Sequence, residues 1–462
     1  MNPGVNELQM DAFRIWRAGV AAVNTGALVR RVVRREGDTL LIGSLSFDLR
    51  SIGQIAVVGG GKAAAPMAEA LEDILGQDLI EAKRLTGWVN VPETQAKPLR
   101  AIRLYPARPL GVNEPTEQAA LGATCILELV SSLRPEDLCV VLITGGASAL
   151  LPAPIPPLTI EDKVQVTRAL SAAGANIDQL NTVRKHLSRI KGGRLAAACR
   201  AGWLVALIVS DVLGDPLDVI GSGPTVPDTT SPDDALEVLR QLGLRPPVIP
   251  EVVFEVLTTA RSTPTPRPSC RVENIIIGNL ETAVSAAAEA ARLLGYEVKT
   301  TVARSAEPTA EEVATQLVGE LWAMEQTPGR RCLVSGGEPV VRLVEPERRG
   351  RGGRNQQLVL AVLNELLRLA ELGKVLPKPF VLLAGGTDGE DGPTDAAGAW
   401  IDREMIGSVR RSGVNVADYL ARNDAYAFFE EWGTLIKTGP TDTNVGDLRV
   451  VVTEEANLRG PV

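Results

Sequence analysis

Histidine is nearly absent from this chain of 462 residues: there is one, His186. A catalytic imidazole is therefore His186 or none, and buried or surface packing is the plainer reading of a lone histidine. Cysteine is sparse as well. The five residues, Cys125, Cys139, Cys199, Cys270 and Cys332, are odd in number, widely spaced and form no C-x-x-C pair, which argues against structural zinc and against a disulfide framework. No apolar run reaches the ~18 residues that span a bilayer, and the first residues, MNPGVNELQMDAFRIWRAG, lack the continuous apolar segment of a signal peptide. Nor is there a basic excess. The formal charge is −8, with both signs interspersed, so neither nucleic acid nor an anionic membrane is the expected partner. A cytoplasmic protein acting on small molecules is the resulting expectation.

What is present is an apolar fraction of 45% and five apolar runs that stop abruptly at glycine or a small polar residue: IAVVGGGK, CVVLITGGAS, VALIVSDVLGD, CLVSGGEP and FVLLAGGTDGEDG. Continuous Val/Ile/Leu runs suit strands buried on both faces, and helical patterns separate several of them. The predicted class is α/β, with two domains, each a largely parallel or mixed sheet flanked by helices in a Rossmann-like manner. The chain is too long for one ordinary core. Prolines crowd residues 246–270, which places a linker there, between an N-terminal domain at 1–245, opened by a helical arm, and a C-terminal domain at 271–462. Ligands of such sheets bind beyond the carboxyl ends of the strands, where all five loops lie.

The first loop invites two familiar readings. A P-loop needs a glycine five residues before its Gly-Lys and Ser or Thr after the lysine, but Ala56 and Ala63 stand there. The dinucleotide fingerprint is met only in part by Gly59, Gly61 and Ala64, without the acidic residue expected ~20 residues on. What remains is a glycine turn at a helix N-terminus, Gly60 and Gly61 with Lys62 beside them, able to hold an anion. Further on, NTVRKHLSRIKGGRLA (181–196) collects Arg184, Lys185, His186, Arg189, Lys191 and Arg194. It reads first as the basic face of a solvated helix, and alternatively as a cationic wall for a carboxylate or phosphate. SDVLGDPLDVIGSGPTVPD supplies Asp211, Asp215, Asp218 and Asp228 with Ser222 and Thr225. Such carboxylates occur in plain loops, and equally where Mg²⁺ and phosphoryl transfer need hard oxygen ligands. GGASAL and SGGEP offer close backbone approach; GRGGRNQQ, TDGEDG and TGPTDTN add arginine, aspartate and asparagine at loop positions.

Taken in order, GGGKAA, GGASALLPAP, NTVRKHLSRIKGGRLA, SDVLGD with GSGPTVPD, SGGEP, GRGGRNQQ, TDGEDGPTDAAGA and TGPTDTNVGDL resemble the class II glycerate kinases, the glycerate 2-kinase family with a C-terminal MOFRL domain. The resemblance runs through almost the whole chain. It implies ATP-dependent, Mg²⁺-assisted phosphorylation of D-glycerate, usually at the 2-hydroxyl, in a cleft between two α/β domains whose closure excludes water, with a homo-oligomer allowed. Carried over, it assigns Lys62, Asp211 and Arg351 to catalysis and Gly145, Gly146, Ser148, Asn181 and Arg184 to substrate. To the nucleotide it assigns Gly60, Gly61, Ser222, Thr225, Gly336, Gly337, Glu338, Arg354, Asn355, Thr387, Asp388 and Asn444, and to metal Asp211 and Asp215. Two positions depart from the pattern: Leu213 stands where proline is expected, and Asp442 where glycine is expected. The first puts metal ligation by Asp215 in question; the second adds a carboxylate near phosphates. The rival readings are an NAD(P)H-dependent hydroxypyruvate reductase using the partial glycine fingerprint with His186 as acid, and a non-catalytic protein that binds a small acid.

Overall fold

The computed structural model describes residues 7–109, 112, 114–261 and 267–454. The chain divides into two compact units: Thr25–Ile277, and a second made of the residues up to Asn24 together with those from Gly278 onward.

In the Thr25–Ile277 unit an antiparallel ribbon, β1 (Val33–Glu36), β2 (Thr39–Ile42) and β3 (Leu45–Asp48), precedes a six-stranded sheet. Its strands are β4 (Ile55–Gly60), β5 (Thr86–Pro92), β6 (Ile102–Arg108), β7 (Leu138–Ile143), β8 (Trp203–Val209) and β9 (Arg271–Gly278). Their order is β6-β5-β4-β7-β8-β9, and β4 to β8 pair in parallel with their neighbours. Every residue of β4 and β7 is buried, which is why these strands read as unbroken apolar runs. Chain direction through the sheet reverses between β4 and β7. That topological switch point leaves a crevice at the carboxyl ends of the two strands.

The other unit holds β10 (Glu297–Val302), β11 (Arg331–Gly337), β12 (Phe380–Gly386), β13 (Gly398–Asp402), β14 (Leu435–Ile436) and β15 (Asp447–Thr453), in the order β10-β11-β15-β12-β13-β14. Only β10 and β11 pair in parallel; β15 runs antiparallel to both β11 and β12. The mixed sheet therefore brings the ends of β11 and β12 to either side of Asp447, which pairs in register with Gly337 and Gly386. All five glycine-terminated runs are strands, and in β11 and β12 the glycine pairs complete the strand.

Two details of the predicted organisation change. The first helix, Glu7–Ala22, belongs with the C-terminal sheet: Leu8, Ala12, Ile15 and Trp16 pack with Val284, Ala287, Leu448 and Val450. Gly19 permits this approach, since a Cβ there would lie 2.5 Å from Leu448 Cδ2 and 2.8 Å from the Ala283 carbonyl. The proline-rich stretch at 246–270 does not mark the junction, which falls at Ile277. Its helix, Glu251–Ala260, buries Val253, Val256 and Leu257 against Leu158, Val166, Leu170, Val183 and Leu239 of the same unit. Residues 262–266 of that stretch lie outside the described ones.

Candidate active site

At the switch point the turn Gly59–Lys62 packs on the loop after β7. The glycines are demanded by strand packing: a Cβ at Gly59 would sit 2.0 Å from the Leu142 carbonyl oxygen, and one at Gly61 2.0 Å from Thr144 Oγ1. The amides that follow are used internally, Lys62 N donating to Gly145 O (2.7 Å) and Ala63 N to Thr144 Oγ1 (3.1 Å). The anion-binding capacity expected of this turn therefore rests on the Lys62 side chain. Its aliphatic stem lies along Gly146, where a Cβ would be 3.0 Å from Lys62 Cγ, and its ammonium has no hydrogen bond or ion pair among the described residues. Gly146 adopts φ 79°, the left-handed conformation glycine takes without steric cost, and so starts the short helix that carries Ser148.

The basic stretch closes the other side. Asn176 caps the helix Ile177–His186 in a capping box with Gln179, so Asn181 and Arg184, a short turn apart, lie on one face. This is not a solvated basic face: Lys185, His186 and Lys191 are each at most 3% exposed, and only Arg189 points fully outward. Lys191 Nζ donates to Ser148 Oγ (2.7 Å), Ser148 O (3.0 Å) and Gly221 O (3.3 Å). Arg184 donates to the same Ser148 Oγ at 2.5 Å. Ser222 lies 2.9 Å from Ser148 Oγ and donates to Asn181 Oδ1 at 3.0 Å. Burial, reinforced by Arg184, lowers the pKa of Lys191, and burial lowers that of Arg184 too. Nearby Lys163 is pushed down to about 7, again chiefly by burial, while its ammonium donates to the Leu187 carbonyl. Lys62, Gly145, Gly146, Ser148, Asn181, Arg184 and Ser222 are thus gathered at one site. Lys191 was not singled out from the sequence.

His186 lies elsewhere. Its Nε2 is 3.0 Å from Thr230 Oγ1 and 3.5 Å from Asp228 Oδ2, and burial lowers its pKa, so it is a packed neutral ring. Asp228 also receives the Thr230 hydroxyl, and Lys185 bridges toward Asp218 (3.2 Å) and Asp228 (3.6 Å). Asp211 follows the end of β8 directly after Ser210, whereas Asp215 sits at φ 55° in the next turn. Thr225 is turned away to bond Asn274 Oδ1 at 2.5 Å. Among the described residues no group of three or more His, Cys, Asp or Glu side chains is arranged for a metal. A Mg²⁺ bound mainly through phosphate oxygens needs only one or two carboxylates, which this loop can supply.

In the other unit a second polar cluster forms where β11, β12 and β15 meet. Arg354 is clamped by Asp447 (Nε to Oδ2, 2.6 Å) and Glu338 (2.7 Å). Asp391, buried, accepts from the amides of Asn355 (3.0 Å) and Gln356 (2.8 Å) and so occupies the N-terminus of the helix Arg354–Glu371. Burial, then the charge of Asp447, pushes Asp391 up to about 7. Thr387 Oγ1 donates to Gly446 O at 2.7 Å and accepts from Val445 N at 2.9 Å, while Asn444 Oδ1 accepts from Gly446 N. Gly336 is pressed against Leu280 and Gly337 against Glu307. Arg354, Asn355 and Thr387 therefore make hydrogen bonds within the protein. Arg351 differs. Its guanidinium stacks 4.4 Å from the centre of the Tyr426 ring while its amide is fixed by Asp424, and its side-chain N–H groups have no hydrogen bond among the described residues. Asp442 adopts φ 57°, the conformation that favours the expected glycine and that aspartate tolerates better than most residues.

The chain is similar to known proteins along nearly its whole length. Residues 11–258 match a domain of unknown function, DUF4147, and residues 331–447 match the MOFRL family. Human glycerate kinase is 38% identical, over 96% of this chain and 93% of that protein. D-glycerate 2-kinase of Thermotoga maritima is 34% identical, over 86% of this chain and 90% of its own length. This chain belongs to the glycerate kinase family. Among solved structures, glycerate kinase of Thermotoga maritima superposes with a TM-score of 0.80 at 31% identity, covering 96% of this chain and 99% of that one. A Pyrococcus horikoshii protein gives 0.79 at 28% identity, covering 98% and 100%. The reductase alternative finds no support in these relatives. No helix among the described residues is long and apolar enough to cross a membrane.

Proposed function

We propose that this protein is a cytoplasmic enzyme that phosphorylates D-glycerate with ATP, giving 2-phosphoglycerate. The observation that carries the reading is the cationic crevice at the β4/β7 switch point, where Arg184 and Lys191 donate to Ser148 and Lys62 lies along Gly146, with no carboxylate paired to them among the described residues. Such a site suits a small acid, and membership of a glycerate kinase family says which one.

Phosphoryl transfer asks little covalent chemistry of a protein and much positioning. Glycerate is held by the backbone of Gly145, Gly146 and Ser148 and by the side chains of Asn181 and Arg184. Lys62 places its ammonium against the phosphate and stabilises the charge that develops there. Asp211 accepts the proton of the attacking hydroxyl, and Arg351, already oriented by Tyr426, meets the migrating phosphoryl group. The loops bearing Gly336, Gly337, Glu338, Arg354, Asn355, Thr387, Asp388 and Asn444 shape the nucleotide site, more through backbone placement than through free side chains. Gly60, Gly61 and Thr225 complete the residues assigned to the nucleotide. Mg²⁺, held by Asp211 with Asp215, would neutralise phosphate charge when bound.

The test is glycerate-dependent ADP formation by the purified protein. Lys62→Ala should lower kcat/KM on the order of 10²-fold or more while the protein remains folded. Normal turnover by folded Lys62→Ala protein would remove Lys62 from the mechanism.

A further inference from the structure

The crevice contains a hydrogen-bond chain whose direction is fixed by counting donors and acceptors. Arg184 can only donate, and a charged Lys191 can only donate. Both point at Ser148 Oγ, at 2.5 and 2.7 Å, and so occupy its two lone pairs. The Ser148 proton must therefore go to Ser222 Oγ, 2.9 Å away. Ser222 in turn sends its proton to Asn181 Oδ1 at 3.0 Å. The chain ends by fixing which way the Asn181 amide faces, with the oxygen inward to Ser222. Asn181 is 3% exposed, and its Nδ2 has no hydrogen-bond partner among the described residues. A buried N–H left without a partner is costly. Arg184 and Lys191, half-buried and buried, also lie here without a carboxylate partner among the described residues. Buried charge without a carboxylate and a buried donor without a partner are two marks of a site suited to an anion.

We propose that Lys191 and Ser222 are positioning residues for the carboxylate of the substrate. Acting through Ser148, they hold the Asn181 amide so that its oxygen faces Ser222 and Nδ2 is left as a donor, and Nδ2 with the Arg184 guanidinium grips the carboxylate oxygens. The inference rests on the glycerate reading and extends it. Selection for a hydroxy acid over a neutral polyol then comes from this chain, and Lys62 and Asp211 are left to the transferring group. Ser222, expected on the nucleotide side, belongs to the acid side.

The test uses the full-length protein and D-glycerate, with the dissociation constant measured by calorimetry and KM for glycerate and for ATP measured by turnover. Asn181→Asp keeps the shape but replaces the donor by a carboxylate, and should weaken glycerate on the order of 10²-fold with KM for ATP unchanged. Ser222→Ala frees the amide to rotate and should weaken glycerate about tenfold. In an Asn181→Ala background the same Ser222→Ala change should cost nothing further, because its effect passes through Asn181; a merely structural role would give additive losses. Unchanged glycerate binding by folded Asn181→Asp protein, or additive losses in the double variant, would overturn the inference while leaving the kinase reading intact. Wild-type protein that neither binds nor phosphorylates glycerate would overturn the kinase reading, and the inference with it.

Discussion

Lys191 shows how a residue's charge can mislead when its surroundings are invisible. In NTVRKHLSRIKGGRLA it is one basic residue of six, His186 included, and an exposed face is the ordinary home for such a run. In the structure it is 1% exposed and hydrogen-bonded on all sides. One signal was legible. The sixteen residues contain no Asp or Glu, whereas solvated helix faces usually intersperse signs to form i,i+4 pairs. His186, read as a structural or surface imidazole, is a buried ring. Changing it to Asn should leave kcat within about twofold and lower stability by about 1–3 kcal/mol through lost buried hydrogen bonding, measured by urea unfolding; a ~10³-fold loss of kcat would instead make it the general base. Asp391 carries a pH dependence. Its folded pKa is raised to about 7 from an unfolded value near 4. The folded state then binds the extra proton between these values, so this group lowers stability progressively as pH rises from about 4 to 7. A carboxyl ¹³C titration should show its midpoint near 7; a midpoint below 5 would contradict the account.

At the level of elements, strands were the most legible feature. β4, β7, β8, β11 and β12 are buried on both faces, so their sequences carry unbroken apolar runs that end at the functional loops. The glycines after β4 were legible as a turn but not in purpose, because ligand approach and strand packing demand the same missing Cβ. Gly61→Ala should therefore destabilise the protein by about 1–3 kcal/mol or more, as overpacking does, even without any ligand, because its Cβ meets Thr144 Oγ1 at 2.0 Å. A thermal midpoint equal to wild type would return Gly61 to a purely ligand-directed role. Prolines at 246–270 read as a linker because they interrupt periodicity, yet Val253, Val256 and Leu257 are an amphipathic stripe that finds a core. Sequence alone does not say which core an amphipathic stripe meets.

The same limit acts on the whole molecule. Helix Glu7–Ala22 opens the chain but completes the C-terminal sheet, and nothing in its apolar spacing names that partner. Deleting residues 1–24 should lower the thermal midpoint of the unit holding β10 to β15, by uncovering Leu448, Val450 and Ala287; calorimetry that finds the midpoint unmoved would show the helix to be dispensable. Function was legible earlier than this assembly, because motif order along nearly the entire chain identified the family while the contacts within each site awaited the fold. The central claim, that the β4/β7 crevice accepts glycerate for phosphorylation at its 2-hydroxyl, is tested most directly by ³¹P NMR of the products formed from D-glycerate, ATP and Mg²⁺. A 2-phosphoglycerate resonance growing with ADP is the predicted result. A 3-phosphoglycerate resonance would contradict the regiochemistry, and ATP left unchanged with no phosphoglycerate would contradict the claim altogether.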